Sequence, residues 1–316
     1  MKILVTGAAG FIGSHLAERL AGAGHAVSGL DCLTDNYARG LKEMSVKDLH
    51  ECGVPVLRLD LAADDLREAA RGVEAVYHLA AQPGLSDATP FATFERNNVQ
   101  ATFRLLEAVR NEPSLRLFVN ISTSSVYGAN ATGDETSEPR PTSHYGVTKL
   151  AAEQLVLAAS RERGLPACSM RLFSVYGPRE RPEKLYPRLI RAILEGTEFP
   201  LFEGSEHHLR SFTYVGDIVD GLVAPLGLID RSAGQIFNVG CDTAITTGEG
   251  IRIVENIIGT QARIVKRPRR PGDQLTTHAD IGKARKILAY EPRTTAEAGL
   301  AREVEWYRSR VAGRLL

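Results

Sequence analysis

The chain has no surplus of either charge, few cysteines and no long apolar run, and each shortage removes a class of function. Lys plus Arg and Asp plus Glu number 38 each, so the overall balance offers nothing for a nucleic acid or an anionic membrane surface to attract. The run Lys266-Arg267-Pro268-Arg269-Arg270 is the one local basic patch. The four cysteines, Cys32, Cys52, Cys168 and Cys241, lack the spacing of a metal-ligand set, and no metal is expected. A chain of 316 residues builds a sizeable core without disulfides, so all four are read as reduced. No apolar stretch reaches the ~18 residues of a membrane span. The amino terminus runs straight into a strand-like segment, without the charged region, apolar core and cleavage site of a signal peptide. The expectation is a cytoplasmic protein with neither a membrane nor a nucleic-acid partner. Repeats, heptads and low-complexity tracts are missing as well.

What is present is the composition of an enzyme core, 43% hydrophobic and 24% charged, enough for one large α/β unit or two lobes. The apolar run Lys2 to Thr6 leads into Gly7-Ala8-Ala9-Gly10-Phe11-Ile12-Gly13 and then a helical pattern from Ser14 to Leu20. Glycines there permit a tight turn and close approach of backbone to a pyrophosphate, while the helix start presents unpaired N–H groups and a positive dipole end. A second strand-like run, Ala26 to Leu30, ends in Asp31, where an acidic side chain holds the two ribose hydroxyls of a dinucleotide. A 2′-phosphate would be repelled by that carboxylate, so the cofactor is read as NAD rather than NADP.

Further strand-like runs at Val54 to Leu59, Ala75 to Leu79, Arg116 to Ile121 and Ala167 to Phe173 alternate with helical stretches near Leu66 to Ala70, Phe94 to Arg110 and Tyr145 to Arg163. That alternation predicts a doubly wound parallel sheet, a Rossmann-type α/β fold, over residues 1–173. After about residue 174 the pattern breaks into Pro-rich loops. A helix over Leu185 to Glu195, strand then helix over Phe212 to Leu228 and a strand over Gln235 to Val239 follow. Residues 174–316 are read as a smaller α/β lobe for substrate, with returns to the sheet near 211–240. The loops Pro178 to Lys184 and Glu203 to Arg210 are the expected mobile segments over a cleft. His207-His208, in the second loop, is read as solvated, since no third ligand is in reach.

Tyr145 and Lys149, in Tyr145-Gly146-Val147-Thr148-Lys149, lie one helical turn apart. A phenol titrates near pH ~10. An ammonium on the same helix face, together with a positive nicotinamide ring, favours the phenolate and makes Tyr145 a base for a hydroxyl proton.

With these features in order, the chain resembles the extended short-chain dehydrogenases/reductases, in the nucleotide-sugar epimerase and dehydratase group. The resemblance spans essentially the whole length. It rests on Gly7, Gly10 and Gly13, Asp31, Asp60-Leu61, His78-Leu79-Ala80-Ala81, Asn97-Asn98-Val99, Ser122 to Gly128, Tyr145 with Lys149, Arg171 to Pro178, Arg210 to Asp217, and Arg270-Pro271-Gly272-Asp273. It implies that Gly7, Gly10, Phe11, Ile12, Gly13, Asp31, Asp60, Leu61, Leu79, Ala80, Ala81 and Asn98 serve the NAD site together with Tyr145 and Lys149. Thr123, Tyr145 and Lys149 become the catalytic group. Arg210 and Arg270 match diphosphate-binding arginines, which explains the basic run at Lys266 to Arg270, and Asp273 matches the acid that binds the nucleotide's ribose. The family commonly dimerises through the Tyr145 to Arg163 helix and the one before it, so a homodimer is expected, although the apolar positions on both equally suit a monomer core.

A further absence selects the reaction. The family's dehydratases carry an Asp-Glu pair after this Thr, and its uronic acid decarboxylases a Glu before Val-Tyr-Gly; here those positions are Ser124 and Ser125. Elimination of water then has no evident acid or base, and oxidation followed by re-reduction at C4 remains. Thr123, Ser124 and Ser125 offer hydroxyls that suit a carboxylate, Ser174 is a further substrate-binding candidate, and Arg181 and Arg188 could add a cationic partner. The stretch most resembles UDP-glucuronate 4-epimerases, with UDP-glucuronate the expected UDP-sugar. A neutral hexose, as in UDP-glucose 4-epimerase, stays open, as do a decarboxylase and a non-catalytic NAD-binding regulator.

Overall fold

The computed structural model describes residues 1–84, 89–268 and 276–313. Seven strands form the central sheet: β1 Lys2–Thr6, β2 Ala26–Leu30, β3 Val56–Leu57, β4 Ala75–His78, β5 Leu117–Thr123, β6 Ala167–Leu172 and β7 Ile236–Val239. Their order is β3-β2-β1-β4-β5-β6-β7, and every pairing is parallel. This is the expected Rossmann-type sheet, with its switch point between β1 and β4, where ligands enter at the carboxyl ends of the strands. Successive residues of a strand face opposite sides of a sheet. Ile3 and Val5 accordingly pack with Leu16, Leu20 and Val119 on one face, while Leu4 packs with Val76, Phe118 and Leu105 on the other.

Strand β7 comes late in the chain and pairs with β6, Ile236 opposite Ser169. Thr213–Tyr214 pairs in parallel with Val175–Tyr176 just beyond the sheet. A separate core is built by Tyr176, Tyr186, Leu189, Phe199, Val254 and Leu300. It lies among the helices Leu185–Glu195, Thr247–Ile258 and Ala296–Trp306 and the strand pair Glu198–Phe202 with Arg263–Arg267.

Several local expectations change. The strand expected over Val54 to Leu59 shortens to Val56–Leu57, because it is an edge paired on one side only. The single helix expected over Phe94 to Arg110 divides into Phe91–Phe94, a wide turn over Glu95–Gln100 and the helix Ala101–Ala108. Such widened turns re-aim a side chain inward, and here that side chain is Asn98. The basic run at Lys266 begins inside a strand, with Lys266 ion-paired to Glu206. The helices Arg39–Glu51 and Thr247–Ile258 carried no clear sequence signal. Among the described residues no helix is long and apolar enough to cross a membrane, and no cluster of three acidic, histidine or cysteine side chains could hold a metal.

Candidate active site

A cleft of about 440 Å³ opens at the carboxyl ends of β1, β2, β4, β5 and β6. Its floor is the glycine turn. Gly7 has φ +71°, and a Cβ there would lie 2.8 Å from the Ala80 backbone nitrogen; at Gly13 a Cβ would meet the Gly7 carbonyl oxygen at 2.1 Å. Side chains are therefore excluded at both positions. Gly10 starts the helix Phe11–Gly22 with no side-chain cap, so that helix end keeps its N–H groups for a ligand. Asp31 ends β2 with Oδ2 accepting from Ala9 N at 3.1 Å and Oδ1 from Leu33 N at 2.8 Å. Burial raises its pKa, opposed by those two N–H groups and by Lys42. Each oxygen keeps a lone pair for a ribose hydroxyl. An uncapped helix end, two positions that exclude a Cβ and a half-buried carboxylate at the end of β2 fit a dinucleotide.

Gly10, Phe11, Ile12, Leu79, Ala80 and Ala81 line the cleft with Asp60 and Leu61. Asp60 is held by Ala62 N at 2.9 Å and by Arg96 at 2.7 Å. Its pKa falls, because those bonds outweigh a burial that pushes the other way. Asn98 is not in the lining. It is 1% exposed and braces the site from behind, accepting from Gln82 N at 2.7 Å and donating to Thr148 Oγ1 at 2.9 Å. The strand-end loop and the Lys149 helix are thereby fixed to each other.

Thr123, Tyr145 and Lys149 meet at the cleft wall. The helix His144–Arg163 is capped by Ser143, whose hydroxyl accepts from Gly146 N at 3.1 Å. A Cβ on Gly146 would lie 2.7 Å from the Ser125 carbonyl oxygen, so glycine lets the helix sit close to the serine turn. Thr123 Oγ1 accepts from Ser125 N at 3.1 Å, lies 3.3 Å from Ser125 Oγ and hydrogen-bonds Tyr145. The expected preference for the phenolate counted a positive nicotinamide ring as well as Lys149, and in the protein alone the Tyr145 pKa stands above its ordinary value. Burial raises it, and Thr123 and Arg181 pull it back only partly. Lys149, 3% exposed, is itself lowered to about 8 by burial, with Glu153 opposing.

Ser124, Ser125, Ser174 and Arg181 also line the cleft. Arg188 does not. On the helix Leu185–Glu195 the inward face is taken by Tyr186, Leu189, Ile190 and Ile193, and the Arg188 guanidinium lies over the Phe199 ring, 6.0 Å from its centre. Arg210 sits in the short strand Leu209–Arg210, outside the lining, and Arg270 and Asp273 fall outside the described residues. His207 closes a short turn at Ser205–His207.

Residues 3–240 match the NAD dependent epimerase/dehydratase family. The chain belongs to that family. A Bacillus subtilis protein described as an uncharacterized UDP-glucose epimerase, YtcB, is 38% identical over 318 residues, covering 99% of this chain and 100% of the relative. UDP-glucuronate 4-epimerase 4 of Arabidopsis thaliana is 33% identical over 335 residues, 99% of this chain and 76% of its own length. The crystal structure of UDP-glucuronic acid 4-epimerase from Bacillus cereus in complex with UDP-glucuronic acid and NAD superimposes with a TM-score of 0.93 at 36% identity, over 98% of this chain and 99% of that one.

For this epimerase-family protein, some cleft residues carried no motif. Lys42 is 4% exposed and donates to Thr34 O at 2.5 Å, Thr34 Oγ1 at 2.9 Å and Asn36 Oδ1 at 2.8 Å beside Asp31. Glu180 and Lys184 join Arg181 in the wall, and Gly84 stands so close to Tyr145 that a Cβ would lie 3.2 Å from its ring. Asp31→Ser is expected to narrow the preference for NAD over NADP by about tenfold or more, as removal of a like-charge repulsion does. Cofactor content after dialysis against mixed NAD and NADP reads it; an unchanged ratio places the selection elsewhere.

Proposed function

We propose that the protein is an NAD-dependent 4-epimerase of a nucleotide sugar, acting on UDP-glucuronate to give UDP-galacturonate. The observation that carries the substrate is Arg181. It lines the cleft with Thr123, Ser124 and Ser125, and its Nη1 is buried without a hydrogen-bond partner among the described residues. A buried, unsatisfied guanidinium nitrogen calls for an anion, and hydroxyl donors suit a carboxylate without competing charge.

Tyr145 takes the proton of the C4 hydroxyl, with Thr123 bonding the same oxygen and passing the proton along. Lys149 holds positive charge one turn away. NAD⁺, when bound, supplies the acceptor and the returning donor of the C4 hydrogen, and a ring charge that favours the phenolate. Tyr145 later returns its proton to the C4 oxygen, after the sugar has turned about its phosphate linkage and presents the opposite face of C4 to the returning hydrogen. A 4-keto uronate is a β-keto acid, and Arg181 with the three hydroxyls holds its carboxylate away from the alignment that loses CO₂. Asp31 and the glycine turn hold the cofactor, Asn98 braces the wall, and residues 174–316 mainly hold the nucleotide sugar.

The test is the ratio of kcat/KM for UDP-glucuronate over UDP-glucose. A ratio of at least ~10² is expected for a site built to pair with a charge its competitor lacks; a reversed ratio moves the substrate to the neutral hexose. That second reading is favoured by the description of the Bacillus subtilis relative. Ser125→Glu is expected to divert part of the product to UDP-pentose, seen by product chromatography, and an unchanged product would remove Ser125 from the control of CO₂ loss. The protein also forms a homodimer in this reading, through the helix His144–Arg163 and the one before it, where Val147 and Phe103 are 45% and 49% exposed.

A further inference from the structure

Three consecutive side chains after Pro178 leave the backbone in three different directions. Arg179 sits at φ +69°, a left-handed conformation that costs a side-chain-bearing residue energy. Its guanidinium reaches Glu18 at 2.7 Å and Asp48 at 3.0 Å, on the helices Phe11–Gly22 and Arg39–Glu51. Asp48 is held again by Arg310 at 2.7 Å. Arg181 turns into the cleft. Glu180, between them and 4% exposed, meets Glu303, 1% exposed, on the helix Ala296–Trp306. The segment expected to be a mobile loop is thus tied down on both sides.

The two ties differ in kind. Arg179 makes ordinary ion pairs. On the other side two carboxyl groups face each other: Glu180 Oε2 is buried without a hydrogen-bond donor among the described residues, and at Glu303 the Gly177 N–H opposes the rise that burial and Glu180 drive. Two ionised carboxylates buried that deeply would repel strongly in poorly screening surroundings, so one proton must lie between them. Lys184 and Arg181, on the same segment, favour the ionised form of Glu180, which leaves the proton on Glu303. Among the described residues the other titratable groups facing the pair are Tyr176 and Tyr186, both kept neutral by burial.

We propose that Glu180 is a positioning residue for Arg181, held by one proton shared with Glu303, so that the enzyme's grip on the substrate carboxylate is linked to that proton. The proposal rests on the uronate reading, because Arg181 is the cation assigned to the carboxylate. The sign follows from the chemistry. Burial and mutual repulsion raise the pair's titration above the carboxylate range, so the tie is complete at low pH and is lost as pH rises through the value in the folded protein. Loss of one proton coupled to binding limits the effect to about tenfold per pH unit.

The test is calorimetric Kd and steady-state KM for UDP-glucuronate from pH 6.5 to 9.5, in the wild type, Glu303→Gln and Glu180→Gln, with UDP-glucose as the ligand lacking a carboxylate. Expected is a rise in Kd and KM with pH of roughly tenfold in the wild type. The rise should be flattened in Glu303→Gln, whose amide donates to Glu180 at every pH, and absent for UDP-glucose. Glu180→Gln removes the repulsion from the other side and flattens the rise too, so either variant suffices if the other does not fold. Superimposable profiles, or a uniform loss of affinity at all pH values, overturn the proposal; a rise shared by UDP-glucose overturns the link to the carboxylate. Failure of the wild type to convert UDP-glucuronate at all refutes the uronate reading itself, and the proposal with it.

Discussion

Tyr145→Phe is expected to lower kcat by at least about 10²-fold with little change in KM, the usual cost of removing a general base that does not itself bind the ground state. The geometry makes this a local test. The Tyr145 ring packs against Gly84, and phenylalanine keeps that contact, so the variant loses the hydroxyl and its hydrogen bond with Thr123 and little else. Formation of UDP-galacturonate at saturating substrate reads the effect. Near-normal turnover would refute the assignment of the base. Because burial alone holds the phenol above its ordinary value, the catalytic phenolate depends on cationic partners, Arg181 among those the chain provides.

The second large effect concerns stability, behind the catalytic helix. Glu153, one turn beyond Lys149, is bound by Arg171 at 2.7 and 3.1 Å, and both side chains are buried, 0% and 2% exposed. Arg171 also donates to Tyr127 Oη at 2.9 Å, which donates to Asn238 Oδ1 at 2.8 Å. This network joins the helix His144–Arg163 to β6 and β7. Glu153→Leu leaves a guanidinium buried without its anion and is expected to cost about 3–5 kcal/mol, seen as a fall in Tm of several degrees. Glu153→Leu with Arg171→Met should recover much of the loss, since an apolar replacement of a whole buried pair is often near neutral. A single variant as stable as the wild type would contradict the account of that network. Loss of Glu153 also removes the group that raises Lys149, so ammonium loss should move further below its value of about 8, drawing the alkaline limb of kcat toward neutral pH.

The parts of the site that were legible in the sequence are those that the chain makes locally. Gly7, Gly10 and Gly13 and the Tyr145/Lys149 pair sit within one turn or one helix, where spacing fixes geometry, and Asp31 follows directly from the length of one strand-helix-strand unit. The sheet was legible for the same reason, since each strand is an apolar run bounded by a helix. What stayed hidden joins distant positions. Arg96 reaches Asp60, Glu180 meets Glu303, and Arg179 bridges to Glu18 and Asp48, contacts that no spacing announces. Arg188 went astray because a helix turns a charged residue away when four apolar neighbours claim the inward face. The wide turn at Glu95–Gln100 was hidden because one extra residue in a helix leaves the apolar period nearly unchanged.

The most direct measurement is proton NMR of the purified protein mixed with UDP-glucuronic acid and no added NAD, following the anomeric signals. The account predicts growth of UDP-galacturonate signals alone, from a resident cofactor and a protected β-keto acid. Pentose signals would contradict the claim that the serine pair and Arg181 retain the carboxylate. No change at all, with UDP-glucose then converting to UDP-galactose, would contradict the choice of substrate.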